Sequence, residues 1–248
     1  MTRLTALLLT LITGFTGLVY EVTWERYLAT LLGSHSEATA AVLGIFLGGL
    51  SLGYSLFGTL TRRIVERAQA SGKPARLLLL YGLVEGSIGA YVIAFPLVFR
   101  AIQALSLMIP HGAAGPGFAI DVLLSALLIG PPTVLMGGTI PILTQALAGS
   151  VASSTRFHAF VYAFNTSGAF LGALAAGFFL IPSLGLVRLM FAMGAINLLA
   201  GGTFVALGRR PAAPAAVEEA PAAPAKAEKL GAYAAAALLT GFAMMVLQ

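Results

Sequence analysis

Long apolar runs recur along this sequence, and they constrain the fold more than any other feature. Most are close to the about 20 residues that a helix needs to cross a hydrocarbon core. Hydrophobic residues make up 58% of the 248-residue chain, and charged residues only 9%. A backbone inside a bilayer must satisfy its own hydrogen bonds, and alternating strands of about ten residues are absent. The pattern therefore predicts an all-α fold, a polytopic transmembrane helix bundle.

Six full spans can be drawn, and the start of a seventh follows near Gly231. The six spans cover residues 4–23, 38–60, 76–99, 118–147, 157–181 and 186–207. The corresponding domain prediction has a six-span bundle over residues 1–207 and an Ala/Pro-rich linker over 208–230. Residues 231–248 are predicted to begin a second membrane repeat.

The basic residues predict the orientation, because cytoplasmic loops are enriched in Lys and Arg. With the N-terminus inside, only Arg26, Arg100 and Arg188 of the 14 basic residues fall outside. We therefore expect a cytoplasmic N-terminus and a cytoplasmic 208–230 linker. The net charge of +5 follows from residues beside the spans, so we expect the lipid bilayer as a partner and no nucleic acid.

Residues 238–248 align without gaps to residues 11–21, with Leu, Thr, Gly, Phe and Val coinciding. The match falls where a second copy of the unit would begin. A helix that stops in mid-membrane would leave its last carbonyls facing hydrocarbon. We therefore expect the natural polypeptide to continue past Gln248.

The segment at the end of the first span has the least ordinary composition of the chain. Aromatic and charged side chains crowd it at Tyr20, Glu21, Trp24, Glu25, Arg26 and Tyr27. Trp and Tyr favour the headgroup level, so Trp24 is interpreted first as a structural anchor at the membrane boundary. Glu21 and Arg26 lie five residues apart and do not face each other on a helix. Arg26 is expected to pair instead with Asp121, which shares its side in this topology.

Ionisable residues inside spans are the strongest functional signal, because a charge there costs at least about 2.5 kcal/mol unless it is paired or hydrated. Glu85 is the clearest, since it lies well inside the third span. Two interpretations stay open for it: a protonated structural carboxyl, or a cation or proton site. Asp121 begins the fourth span, where helix capping competes with a binding role. Glu21 is the third candidate substrate-binding carboxylate.

Glycines and prolines indicate how the spans pack. Glycines four or five residues apart recur in the second and fifth spans, at Gly44, Gly48, Gly49, Gly53, Gly58, Gly168, Gly172 and Gly177. They predict close helix contacts, with a sliding contact in a transporter as the alternative. Pro132 and Pro141 each remove a backbone hydrogen bond from the fourth span. We expect a kinked or broken helix there, which either lines a substrate site or is a simple kink.

Three polar side chains, Asn165, Thr166 and Asn197, are expected to form hydrogen bonds between helices. Catalytic motifs are missing: there is no nucleophile elbow, phosphate loop or glycine-rich nucleotide turn. Cysteine is absent, and the three histidines lack metal-ligand spacing. The sequence therefore predicts no catalytic residue, no metal and no cofactor.

Four motifs, in order, resemble the membrane portion of bacterial spermidine synthase-like proteins, often described as fusions with a major-facilitator-like module. They are GLVYEVTWER from Gly17, FLGGLSLG from Phe46, PTVLMGGTIP from Pro132 and YAFNTSGAFLG from Tyr162. The resemblance covers about residues 5–207. Six spans, a linker and a restarting repeat also resemble half of a major facilitator fold. The resemblance implies a location in the bacterial inner (cytoplasmic) membrane.

The resemblance implies a polyamine-related role without catalysis in this chain. In that family a soluble domain transfers the aminopropyl group, and it holds decarboxylated S-adenosylmethionine through residues that have no counterpart here. We therefore expect a non-catalytic membrane module that anchors or handles a cationic substrate, either polyamine-like or another small cation, through Glu85 and Glu21. The alternative is a structural or assembly subunit that binds other membrane subunits and has no transport role.

Overall fold

The computed structural model describes residues 2–33, 35–108, 116–148, 151–209 and Leu239, and no strand occurs among them. The elements are α1 (Thr2–Leu32), α2 (His35–Ala70), α3 (Leu77–Met108), α4 (Pro116–Leu147), α5 (Val151–Ala175), a short π-helix (Ala176–Leu180) and α6 (Ile181–Gly208). All of them belong to one compact unit, Met1–Ala216. In the second unit, Val217–Gln248, only Leu239 is described. The all-α prediction is confirmed for the described residues.

Five helices are long and apolar enough to cross a membrane. They are Arg3–Leu32, Ser36–Ala70, Leu77–Met108, Gly117–Leu147 and Arg156–Gly208. The predicted count of six spans and the start of a seventh is therefore not matched. The predicted seventh span and nearly all of the 208–230 linker lie outside the described residues.

The difference in the span count comes from the last helical run. The run Arg156–Gly208 contains 53 residues, because α5, the π-helix and α6 follow one another without a gap. Gly185 interrupts it with φ 69° and ψ 170°. This backbone conformation is open to glycine and strongly disfavoured for other residues, so a single glycine provides the break.

Glycines bring the helices together in three pairs. A Cβ atom built at Gly168 of α5 would overlap the carbonyl oxygen of Leu11 in α1, and one built at Gly53 of α2 would overlap that of Val134 in α4. A Cβ at Gly82 of α3 would likewise collide with the backbone of α6. Only glycine permits these approaches, so the backbones of each pair lie in direct contact.

The glycine prediction is confirmed at half of its positions. Close contacts form at Gly49, Gly53, Gly168 and Gly172. A Cβ would instead meet no atom within 4 Å at Gly44, Gly48, Gly58 and Gly177. Spacing therefore identified α2 and α5 as helices that use glycine, but it missed α3 and did not identify which face of a helix is in contact.

Helix α4 continues through Pro131, Pro132 and Pro141, so of the two expected forms, kinked or broken, the broken helix does not occur. Proline has no N–H, so Pro132 leaves the carbonyl of Leu128 without its donor one turn earlier. The hydroxyl of Tyr91 in α3 donates to this carbonyl oxygen at 2.5 Å. A neighbouring helix thus replaces the hydrogen bond that the proline removes.

An aromatic column runs along the inner faces of α1 and α3, formed by Tyr20, Trp24, Tyr27, Phe95 and Phe99. Ring centroids are 5.8 Å apart for Tyr20 and Trp24, 5.6 Å for Trp24 and Phe95, and 4.8 Å for Tyr27 and Phe99. Trp24 and Tyr20 are fully buried. The interpretation of Trp24 as a headgroup anchor is therefore wrong, because its indole packs inside the bundle.

Two polar atoms in this column are buried without a partner. Neither Nε1 of Trp24 nor the hydroxyl of Tyr27 has a hydrogen-bond acceptor or donor among the described residues. Native interiors satisfy the large majority of such groups. The rings of the column are therefore closely packed, but two of its buried polar atoms lack a hydrogen bond among the described residues.

Candidate functional site

A cavity of about 160 Å³ lies where the six helices meet. Each helix contributes at least one polar side chain to its wall, and these include Thr13, Tyr54, Glu85, Thr139, Asn165 and Asn197. We call this space the central cavity. Much of the remaining wall is apolar or aromatic, with Phe46, Ile88 and Ile140 among its residues. The combination of an apolar wall with a few converging polar groups is typical of small-molecule sites.

Glu85 is the one charged side chain among the described residues that line the central cavity. It is 2% exposed. Its Oε2 atom accepts a hydrogen bond from Nδ2 of Asn197 at 2.8 Å. The Oδ1 atom of Asn197 in turn accepts from Oγ1 of Thr16 at 2.5 Å. Three helices thus hold the carboxylate in place, and no described residue forms an ion pair with it.

Further hydroxyl groups surround this chain of hydrogen bonds. Oγ1 of Thr13 lies 3.3 Å from the hydroxyl of Tyr81, which precedes Glu85 by one turn of α3 and so shares its face. The hydroxyl of Tyr20 donates to the carbonyl of Met193 at 3.0 Å. The site is consequently a polar centre enclosed by aromatic and apolar side chains.

Of the polar residues expected to join helices, Asn197 does so, through its bonds to Glu85 and Thr16. Asn165 lines the central cavity, and its backbone carbonyl occupies the place of a Cβ at Gly14. Thr166 is exposed. Two of the three polar positions therefore belong to the central cavity.

The prolines of α4 flank the central cavity rather than line it. Pro132 and Pro141 are both buried. The segment between them contributes Met136, Gly137 and Thr139 to the cavity wall. The prolines therefore bracket the part of α4 that faces the cavity.

Glu21 does not join Glu85. It is half-buried on α1 and lines neither the central cavity nor the second cavity described below. Successive helical residues point about 100° apart, so Glu21 diverges from Tyr20, which does line the central cavity. Of the three candidate carboxylates, the structure brings only Glu85 to the central cavity.

Asp121 lies at a second cavity of about 320 Å³, which we call the terminal cavity. The ends of α1 and α3 and the beginning of α4 form it, and Asp121 is 6% exposed there. Oγ of Ser106 donates to Oδ1 of Asp121 at 2.6 Å. Helix α4 begins at Pro116 and has no acidic residue in its first turn. The capping interpretation of Asp121 is therefore wrong.

The expected pair of Arg26 and Asp121 does not form among the described residues. Nε of Arg26 lies 4.0 Å from the carboxylate of Glu25, and Asp121 accepts from Ser106. Arg26 is exposed, so its contact with the adjacent Glu25 contributes little to stability.

Three contributors to the site around Glu85 were not singled out from the sequence: Thr13, Thr16 and Tyr81. Tyr81 had a detectable signal, because it stands four residues before Glu85 and so shares its helix face. The threonines had none, since a threonine in an apolar helix commonly bonds its own backbone.

A polyamine aminopropyltransferase of Corynebacterium efficiens is 29% identical to this chain over 188 residues. The matched region is 74% of this chain and 31% of the relative, so the chain spans less than a third of that protein. No family model matches the sequence. No solved structure matches it either. Over most of its length, this chain is similar to one part of a polyamine aminopropyltransferase.

Proposed function

We propose that this chain is a non-catalytic membrane module that binds a polyamine-like cation in the central cavity, with Glu85 as its counter-ion. One observation carries the proposal: a buried carboxylate lines a cavity in which no described cation neutralises it. A carboxylate buried among apolar helices is costly unless an opposite charge accompanies it. A protonated amine in the cavity supplies that charge.

The wall of the central cavity suits an alkyl amine better than a hydrated metal ion. Rings of Tyr20, Phe46 and Tyr54 line it, and aromatic faces attract ammonium groups. Apolar side chains accommodate methylene groups, whereas Mg²⁺ and Ca²⁺ require several oxygen ligands. Similarity to part of a polyamine aminopropyltransferase supports the same ligand class.

The proposal includes a membrane arrangement. A run of 53 residues is more than twice the about 20 residues of one crossing. The run therefore crosses twice and turns at Gly185, which gives six crossings in an arrangement that resembles half of a major facilitator fold. Both ends of the bundle then face the cytoplasm, in the inner membrane of a bacterium.

The test is equilibrium dialysis of the purified chain in lipid nanodiscs against radiolabelled spermidine. The variant Glu85→Gln keeps the shape of the side chain and removes its charge, so its affinity is expected to fall by at least about tenfold, or about 1.4 kcal/mol. Glu66→Gln is the matched control, because Glu66 is an exposed residue of α2 and its loss should not change binding. Equal affinities of wild type and Glu85→Gln would contradict the proposal.

The alternative function is a structural or assembly subunit without a ligand. The hydrogen bond from Asn197 to Glu85 favours it, because this bond satisfies one carboxylate oxygen internally. In that case neither wild type nor Glu85→Gln binds spermidine, and the substitution changes only stability.

A further inference from the structure

Helix α2 is longer than one membrane crossing requires. It contains 36 residues, His35–Ala70, which extend about 54 Å at about 1.5 Å per residue, whereas a hydrocarbon core is about 30 Å thick. Its apolar stretch ends at Leu60, and Arg62 and Arg63 follow. In the proposed membrane arrangement, the last turns of α2 therefore lie at the level of the lipid headgroups or beyond.

The exposed side chains on one face of α2 change from leucine to arginine at this level. Leu52, Leu56 and Leu60 are 53%, 53% and 41% exposed. Arg63 and Arg67 are exposed as well, and they continue the same face because residues three or four apart are neighbours on a helix surface. We call these five residues the leucine–arginine stripe. It presents an apolar surface to the acyl region and two guanidinium groups to the headgroup region.

The charges beside the two arginines leave them available to an anion. Nε of Arg62 lies 3.9 Å from Oε1 of Glu66, so the acidic residue of this segment pairs on the neighbouring face. Neither Arg63 nor Arg67 forms an ion pair with a described residue. The C-terminus of α2 carries about half a negative charge, and the N-terminus of α3, which begins at Leu77, carries a similar positive charge that opposes it.

The other described charged residues at this end of the bundle are basic. Helices α1 and α5 begin at this end together, since the guanidinium of Arg3 lies 4.6 Å from the ring centre of Phe157. Helix α6 ends beside the beginning of α3, since a Cβ built at Gly208 would overlap the backbone of Leu79. The further exposed basic residues are Arg3, Lys73, Arg76, Arg156 and Arg209. The potential around the stripe is therefore positive, with Glu66 as the one acidic residue described at this end.

We infer that the leucine–arginine stripe binds an anionic phospholipid, with the phosphate between Arg63 and Arg67 and an acyl chain along the three leucines. A guanidinium can donate two parallel hydrogen bonds to a phosphate, and basic segments beside a membrane attract anionic lipids. A soluble anion would use the arginines alone, whereas the stripe continues into the acyl region. The inference does not depend on Glu85 or on a ligand in the central cavity.

The experiment is native mass spectrometry of the full chain, released from detergent micelles and titrated with phosphatidylglycerol or with phosphatidylcholine of the same acyl chains. Wild type is expected to bind phosphatidylglycerol more tightly. The double variant Arg63→Gln and Arg67→Gln should weaken the tightest phosphatidylglycerol binding by at least about tenfold and leave phosphatidylcholine binding unchanged. Arg62→Gln is the matched control, because Arg62 is paired with Glu66, and its affinity should stay within about twofold of wild type.

Two further measurements separate charge from folding and a lipid from a soluble anion. Arg63→Lys with Arg67→Lys keeps both charges and should retain the preference for phosphatidylglycerol, and size-exclusion chromatography verifies that each variant is folded. Inorganic phosphate at the concentration of the lipid should not displace it. Equal phosphatidylglycerol affinities of wild type and the glutamine variant would overturn the inference, as would equal wild-type affinities for the two lipids. Displacement by phosphate would overturn the contribution of the leucines.

Discussion

At the scale of single residues, Asn197 determines how Glu85 is held. Its amide donates to Glu85 and accepts from Thr16, so one side chain connects α6 with α3 and α1. An amide can do both at once because it carries a donor group and an acceptor group. A hydrophobic residue of similar size would leave the carboxylate without this donor.

Substitution of Asn197 by Ala is therefore expected to destabilise the bundle. A hydrogen bond to a charged group contributes about 1.5–3 kcal/mol, and its loss leaves buried groups unsatisfied. Thermal unfolding in a fixed detergent measures the effect. Thr203→Ala is the matched control on the exposed face of α6, where changes stay within about 0.5 kcal/mol. An Asn197→Ala variant as stable as this control would contradict the assigned role.

Glu85 could be found from the sequence, because a carboxylate deep in an apolar span is conspicuous. Its partner could not be assigned, since Asn197 is 112 residues away in the chain and nothing local links them. Asp121 was misjudged because the helix begins at Pro116 rather than at residue 118, so the carboxylate lies beyond the first turn. Contacts between helices depend on rotation about their axes, which spacing does not determine.

At the scale of elements, α3 compensates for the prolines of α4. The hydroxyl of Tyr91 replaces the hydrogen bond that Pro132 removes from the carbonyl of Leu128. The continuity of α4 therefore depends on a side chain of another helix. A sequence pattern marks the proline but not the donor that compensates for it.

The compensation can be tested with a double-mutant cycle. Tyr91→Phe leaves the carbonyl of Leu128 unsatisfied, at a cost of about 1–3 kcal/mol. In the Pro132→Ala background the helix regains its own N–H donor, so Tyr91→Phe should cost much less there. Chemical denaturation of the four proteins measures both costs. Equal costs in the two backgrounds would show that the hydroxyl does not compensate for the proline.

At the scale of the whole molecule, cysteine labelling can count how often the chain crosses the bilayer. The chain contains no cysteine, so single cysteines can be introduced without removing any. Ser71 is exposed in the connection between α2 and α3, and Ser183 is exposed two residues before Gly185. These two positions lie on opposite sides of the membrane if the run Arg156–Gly208 crosses twice.

In intact cells, a membrane-impermeant maleimide is expected to label Ser183→Cys, and to label Ser71→Cys only after permeabilisation. A single crossing by the last run would bury residue 183 in hydrocarbon, and Ser183→Cys would then remain unlabelled in both conditions. Labelling of both cysteines in intact cells would contradict the predicted orientation, since Ser71 would then lie outside.

The two unsatisfied atoms of the aromatic column bear on how firmly the bundle is closed. Nε1 of Trp24 and the hydroxyl of Tyr27 have no partner among the described residues, and each buried group left unsatisfied costs about 1–3 kcal/mol. Water between α1 and α3 would recover that free energy. A water molecule that bonds to these two atoms therefore lowers the free energy needed to separate α1 from α3 at the column.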